Sequence, residues 1–154
     1  MVIDQGLRFE ALYREHGAHL WRGILLYTGD PDVASDAVAE AFAQAIRRGD
    51  RVESALAWVT KSAYRIAAGE LKRRRITGYP ITDRPYEMRL PDLALADALA
   101  QLSPKQREAA VLHFRDGYTQ TEIAKLIGST TSAVGVHLYR ARTRLRELLG
   151  DDDD

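Results

Sequence analysis

The sequence contains no cysteine, which excludes disulfides, thiolate metal centres and a cysteine nucleophile. It has no apolar run long enough to span a bilayer, and no signal peptide is evident at Met1-Val2-Ile3-Asp4. The expectation is therefore a cytoplasmic chain without a membrane partner. There is no Walker-type phosphate loop and no Gly-rich dinucleotide turn. His16 and His19 stand three apart without an obvious further ligand set, and they and His113 read as helix-surface or satisfied histidines. No cofactor, no metal and no enzymatic activity are expected. Net charge is also lacking, with 22 basic against 22 acidic side chains.

What is present is uneven charge. From Lys61 to Arg75 there are six basic residues against one acidic, and from Lys105 to Gly150 eight against four. The terminal run Asp151 to Asp154 cancels four charges by itself and reads as a disordered acidic tail. A length of 154 residues with 45% hydrophobic side chains allows one compact domain or two small ones.

Periodicity predicts an all-α chain. Phe9, Leu12, Tyr13, His16, Leu20 and Ile24 step by three and four, predicting a helix over 7–28. Gly29-Asp30-Pro31-Asp32 is a turn in which Asp30 caps the next helix and Pro31 takes its first position. Residues 31–48 turn Val38, Phe42, Ala45 and Ile46 inward and Asp32, Asp36 and Glu40 along an outer face. Ser54 caps a helix over 55–74, with an inner stripe of Leu56, Val59, Ala63, Ile66 and Leu71. That helix ends in Lys72-Arg73-Arg74-Arg75. Cations there oppose the macrodipole, but four in a row exceed that role. Residues 76–91, with three prolines and a glycine, read as a linker. The chain is thus expected to form two small helical domains, 5–75 and 92–150, the second opening on a short helix over about 92–101. Two tethered basic modules can engage two DNA sites with raised joint affinity.

The C-terminal stretch is the most informative. Ser103 caps a helix with Pro104 at its first position, and Val111, Phe114 and Tyr118 recur at helical spacing until Asp116-Gly117. Thr119-Gln120-Thr121-Glu122 is a capping box. A short helix follows, with Ile123, Ala124 and Ile127 apolar, and Gly128 stops it. Ser129 or Thr130 caps a longer helix whose apolar stripe is Val134, Leu138, Ala141, Leu145 and Leu148. Short helix, tight turn, basic helix is a helix-turn-helix. A plain three-helix bundle with a solvated arginine face shares this pattern.

These residues resemble a bacterial RNA polymerase sigma factor of the extracytoplasmic-function type, built of a region-two domain, a linker and a region-four domain. The resemblance covers roughly Phe9 to Leu149. In region four it rests on Leu102 to Glu108, Thr121-Glu122-Ile123-Ala124, Gly128 and Leu138 to Arg142. In region two it rests on Asp36, Val38, Glu40, Phe42, Trp58 and Lys72 to Arg75.

The resemblance implies a transcription initiation factor that partners core RNA polymerase and promoter DNA, with an anti-sigma protein as a further partner. It implies that Asp32, Asp36 and Glu40 dock on the polymerase. It implies that the loop after Arg47 and the following helix hold the melted minus-ten strand, through Arg47, Arg48, Arg51, Trp58, Lys61, Tyr64, Arg65, Lys72 and Arg73. A basic groove with aromatic faces is what single-strand capture needs. Trp58 reads equally as a core aromatic, and acidic residues four apart also occur on plain solvated faces. The minus-thirty-five element would be read by Thr119, Thr130, Thr131, Ser132, Gly135, Val136, His137, Tyr139, Arg140 and Arg142.

The chain departs from the family pattern where Gly135, Val136 and His137 replace a usual lysine, serine and arginine, and where Ala39, Arg65 and Gly69 replace a usual glutamine, asparagine and aspartate. These departures bear on which promoter is read and how strongly. The alternatives are a stand-alone helix-turn-helix regulator and a sigma-like adaptor that reads no promoter.

Overall fold

The computed structural model describes residues 3–49, 54–77 and 90–150. Every regular element among them is helical: α1 (Ile3–Thr28), α2 (Pro31–Arg48), α3 (Ala55–Thr77), α4 (Leu90–Ala100), α5 (Pro104–Ala110), a π-helical turn (Val111–Arg115), α6 (Gln120–Ile127) and α7 (Thr131–Leu149). The chain divides into two compact units, Met1–Thr82 and Asp83–Asp154. Most of the expected linker, at positions 78–89, lies outside the described residues, as do Arg51 and the acidic tail.

The first unit is α1, α2 and α3 packed on one another. α2 presents Val33, Ala34, Ala37, Val38, Ala41, Phe42 and Ala45 to the core. Four alanines in that row let the neighbouring helices approach closely. Phe9, Leu20 and Ile24 from α1 and Val59, Ala63 and Ala67 from α3 complete the core. Ile46, expected inward, is exposed, because the α2 contact ends at Ala45. Tyr13 is also exposed, its ring edge-on to Phe42 with centroids 5.3 Å apart.

Asp30 joins the two ends of this unit. Its carboxylate accepts from the backbone N–H of Asp32 at 2.8 Å and of Val33 at 3.2 Å, capping α2. The same carboxylate accepts from Arg74 Nη1 at 2.6 Å, at the far end of α3. Arg74 Nε also donates to Glu70 at 3.1 Å. One member of the C-terminal basic run is therefore a strut inside the unit.

The second unit begins with α4 and the Ser103–Gln106 capping box, in which both reciprocal hydrogen bonds measure 3.2 Å. The helix from Pro104 does not run on as α-helix. At Val111–Arg115 it widens, with Asp116 N–H reaching back to Val111 O and Tyr118 N–H to Leu112 O. Widening breaks the 3.6-residue register, so Phe114, which shares helical spacing with Val111, is 44% exposed while Val111 and Leu112 stay buried. His113 is not a free surface residue: its Nδ1 lies 2.7 Å from the Tyr118 carbonyl. A carbonyl only accepts, so Nδ1 carries the proton and clasps the turn. Gly117 closes that turn at φ 78°, a left-handed angle that favours glycine.

α6 is capped by Thr119 and Glu122 in a complete capping box, and Gly128 ends it at φ 69°. Thr130 then caps α7 by accepting from the Ala133 N–H at 3.1 Å. α7 packs on α5 and α6, and Val134, Leu138 and Ala141 are buried, as are Ala109, Ile123 and Ala124 of those helices. This is the expected helix-turn-helix.

Candidate nucleic-acid interface

The apolar stripe of α7 leaves the opposite face outward. Thr131, Ser132, Val136, Tyr139 and Arg140 are all exposed, Tyr139 at 72%. Their side chains suit a major-groove surface: hydroxyls and a guanidinium for base edges and phosphates, Val136 and Tyr139 for apolar contact.

Three expected contacts lie differently. Thr119 is exposed, but its hydroxyl is engaged in accepting from the Glu122 N–H at 3.1 Å. His137 is half-buried on the flank toward α5, with a buried Nδ1 that has no hydrogen-bond partner. Burial, aided by Lys105 and Arg140, holds its pKa below the usual histidine range, so at neutral pH it brings no charge to DNA. The Arg142 guanidinium stands 5.2 Å from the Phe114 ring centroid, a cation–π seat. Arg144, off the outward face, is tied to Glu147 and to Gln101, each at 3.0 Å.

Gly135 is neither an opening nor a simple weak point. A Cβ there would stand 2.7 Å from Gln120 Nε2. That amide reaches across from the first turn of α6 and donates to the Thr131 carbonyl at 3.3 Å. The space a side chain at 135 would fill on α7 is taken by one from α6.

The first unit carries two exposed surfaces. On α2, Asp32, Asp36 and Glu40 are all exposed along one face. Beside them Arg47, Arg48, Trp58 and Arg65 line an open pocket of about 280 Å³ together with Gln44. The Arg48 guanidinium lies 5.6 Å from the Trp58 ring centroid. Trp58 is therefore a half-exposed pocket wall, resolving the earlier choice against a core residue. The two surfaces touch, since Arg47 Nη2 donates to Glu40 at 3.0 Å.

Lys61, Lys72 and Arg73 are exposed. Arg73 forks onto Glu70 at 2.6 and 3.0 Å. That contact, with Arg74 behind it, draws the Glu70 carboxyl down to about 2 against an opposing push from burial. Tyr64 is a correction. It is 1% exposed and stacks on Tyr27 with centroids 5.9 Å apart, so it cannot meet a nucleic-acid strand. α3 packs against both α1 and α2, which buries Val59, Thr60, Ser62, Ala63, Tyr64 and Ala67 around a wide arc. Its expected inner stripe was too narrow.

Among the described residues, no three or more His, Asp or Glu side chains are grouped to hold a metal ion, and no helix is long and apolar enough to cross a membrane.

Residues 92–145 match the Sigma-70, region 4 family. Across 154 aligned positions the chain is 33% identical to the extracytoplasmic-function RNA polymerase sigma factor SigL of Mycobacterium tuberculosis, covering 90% of this chain and 87% of that one. The chain belongs to the extracytoplasmic-function sigma factors. It is a promoter-directing transcription initiation factor that binds core RNA polymerase and promoter DNA.

Its fold agrees. The sigma factor RpoE of Bartonella quintana, solved in complex with the anti-sigma factor NepR, is similar with a TM-score of 0.77 at 24% identity, covering 94% of this chain and 98% of that chain. CnrH, solved with the cytosolic domain of CnrY, is similar with a TM-score of 0.70 at 24% identity, covering 94% and 89%.

In this sigma factor, sequence reasoning missed Gln120, Asp30's reach to Arg74, and Glu108. Gln120 left one trace in the sequence, the glycine at 135. Glu108 belongs to the Leu102 to Glu108 motif, but nothing in the sequence marks it as buried.

Proposed function

We propose that α7 reads the minus-thirty-five element and that the first unit holds the opened minus-ten strand. The outward row Thr131, Ser132, Val136, Tyr139 and Arg140 carries this reading. It lies on a helix fixed by its own cap and by a tight turn, so its first residues are presented as a rigid unit. The pocket of Arg47, Arg48, Trp58 and Arg65 supplies cations and an aromatic face for an unpaired base. Stacking contributes ~1–3 kcal/mol per base, enough to help keep a melted segment open. Lys61, Lys72 and Arg73 extend the cationic path for the backbone.

Asp32, Asp36 and Glu40 form the docking face for core polymerase. Glu40 also restrains Arg47, so docking and strand capture meet at one ion pair. The factor performs no chemistry of its own and works in the cytoplasm. An anti-sigma protein is a further partner, by analogy with the RpoE structure, and would cover these charged faces.

Promoter-directed run-off transcription with core polymerase tests the whole reading. Product from a cognate promoter is expected, and polymerase binding without initiation would reduce the chain to an adaptor. Arg140→Ala is expected to weaken duplex binding and lower the salt slope by about one phosphate contact. An unchanged slope would remove Arg140 from the interface.

A further inference from the structure

We infer that Gln120 is a specificity-determining residue, whose amide is seated over the recognition helix by the notch at Gly135 and selects adenine at one position of the promoter duplex. The inference rests on α7 being the reading helix.

Three observations carry it. Gly135 lies one turn into α7 and is part-exposed, next in sequence to the exposed Val136. The absent Cβ is where the Gln120 amide sits, since a methyl group there would come within 2.7 Å of Nε2. The amide is held in place, because Nε2 donates one hydrogen to the Thr131 carbonyl at 3.3 Å. Gln120 is nevertheless exposed.

The remaining chemistry is specific. With one N–H engaged, the carboxamide keeps a second N–H and the Oε1 acceptor. That is the pair of groups that matches N7 and the N6 amine of adenine on the major-groove edge. A lysine or arginine rooted at 135 would prefer guanine or phosphate. The glycine therefore exchanges a flexible cation for a neutral amide from the adjacent helix, anchored at one end. Helix stability opposes this choice, since glycine is about 1 kcal/mol poorer than alanine in a helix interior.

The test is selection of duplexes from a randomised pool by the full-length chain, with dissociation constants measured on the enriched sequence and its single-base variants. Wild type is expected to enrich adenine at one position. Gln120→Ala is expected to flatten that position by about tenfold, the size of one bidentate base contact, and to leave the others unchanged. Gln120→Glu, which cannot donate to the Thr131 carbonyl and so loses the seat, is expected to lose the adenine preference as Gln120→Ala does. Gly135→Ala is expected to raise thermal stability while losing the same preference. The Gln120→Ala/Gly135→Ala double variant is expected to lose no more than either single variant, as for two residues acting through one contact.

An adenine preference that survives Gln120→Ala overturns the inference. So does a loss spread evenly over all sequences, which would mark a phosphate contact. A preference that survives Gly135→Ala removes the seating role. Those outcomes leave Arg140→Ala still weakening the duplex. If wild type enriches nothing and Arg140→Ala changes nothing, the reading of α7 falls and this inference falls with it.

Discussion

Asp30→Ala is expected to destabilise the first unit by about 3 kcal/mol, at the lower end of what breaking a buried ion pair costs. Two losses combine. The side chain caps α2 through two backbone N–H groups, and losing a cap costs about 1 kcal/mol. It also holds Arg74, whose side chain keeps only 15% exposure while that of Asp30 keeps 3%. Without Asp30 the guanidinium stays largely desolvated and loses its buried carboxylate partner. The Asp30 contact is the leading reason the Arg74 pKa is raised further above its usual value.

Asp30→Asn keeps an acceptor for the cap and removes the charge, so about half the loss is expected. Urea unfolding followed by tryptophan fluorescence measures this cleanly. Both tryptophans, Trp21 and Trp58, lie in the first unit, so the signal is silent about the second. A loss under about 1 kcal/mol would mean that Asp30 is only a cap.

The second large effect is a pH dependence confined to the second unit. Glu108 is 6% exposed, and burial pushes its carboxyl from 4.5 up to about 7, with Lys105 pulling the other way. Between those two values the folded chain holds a proton that the unfolded chain has released. Stability is therefore greatest below the unfolded value and falls as pH rises from about 4.5 to about 7. The total is roughly 3 kcal/mol at 1.36 kcal/mol per unit.

His137 works in the opposite sense. Its pKa is lowered from 6.5, so it loses stability as pH falls below that point. A His137→Gln background isolates the glutamate. In that background Glu108→Gln is expected to abolish the slope between pH 5 and 7, read by amide exchange of Leu112 and Val134. A slope that persists in Glu108→Gln would place the proton elsewhere.

Lys105 lies near both Glu108 and His137, since its charge acts on each. The flank of α7 toward α5 is thus a partly buried, charge-sensitive seam. The flank toward α6 is the neutral seam of Gln120 and Gly135. The outward row of α7 is flanked by both, so packing on either side orients its exposed side chains.

The helix ends were legible because each is settled within a few residues. Asp30-Pro31, Ser103-Pro104 and Thr119 with Glu122 cap as their spacing predicts, and of the two candidates Ser129 and Thr130 it is Thr130 that caps α7. So does the stop at Gly128. A cap is a contact across at most four positions, and nothing distant competes with it. The family resemblance was legible for the same reason, since its motifs are mostly such local signals laid out in order.

Nonlocal contacts were not legible. The partner of Arg74 lies 44 positions away, so one arginine in a run of four became a strut while its neighbours stayed outward. Tyr64 was hidden because the width of a buried arc depends on how many helices press on α3. Phe114 came out of the core because a π turn shifted the register by one residue.

By itself, the sequence determined the fold class, most of the helix caps and the sigma-factor family, since periodicity, capping and motif order are properties of neighbouring residues. Only the tertiary structure decided which cations are free, which aromatics face outward, and what fills the space beside Gly135. Those depend on side chains brought together from separate helices, and burial and charge pairing exist only after that packing.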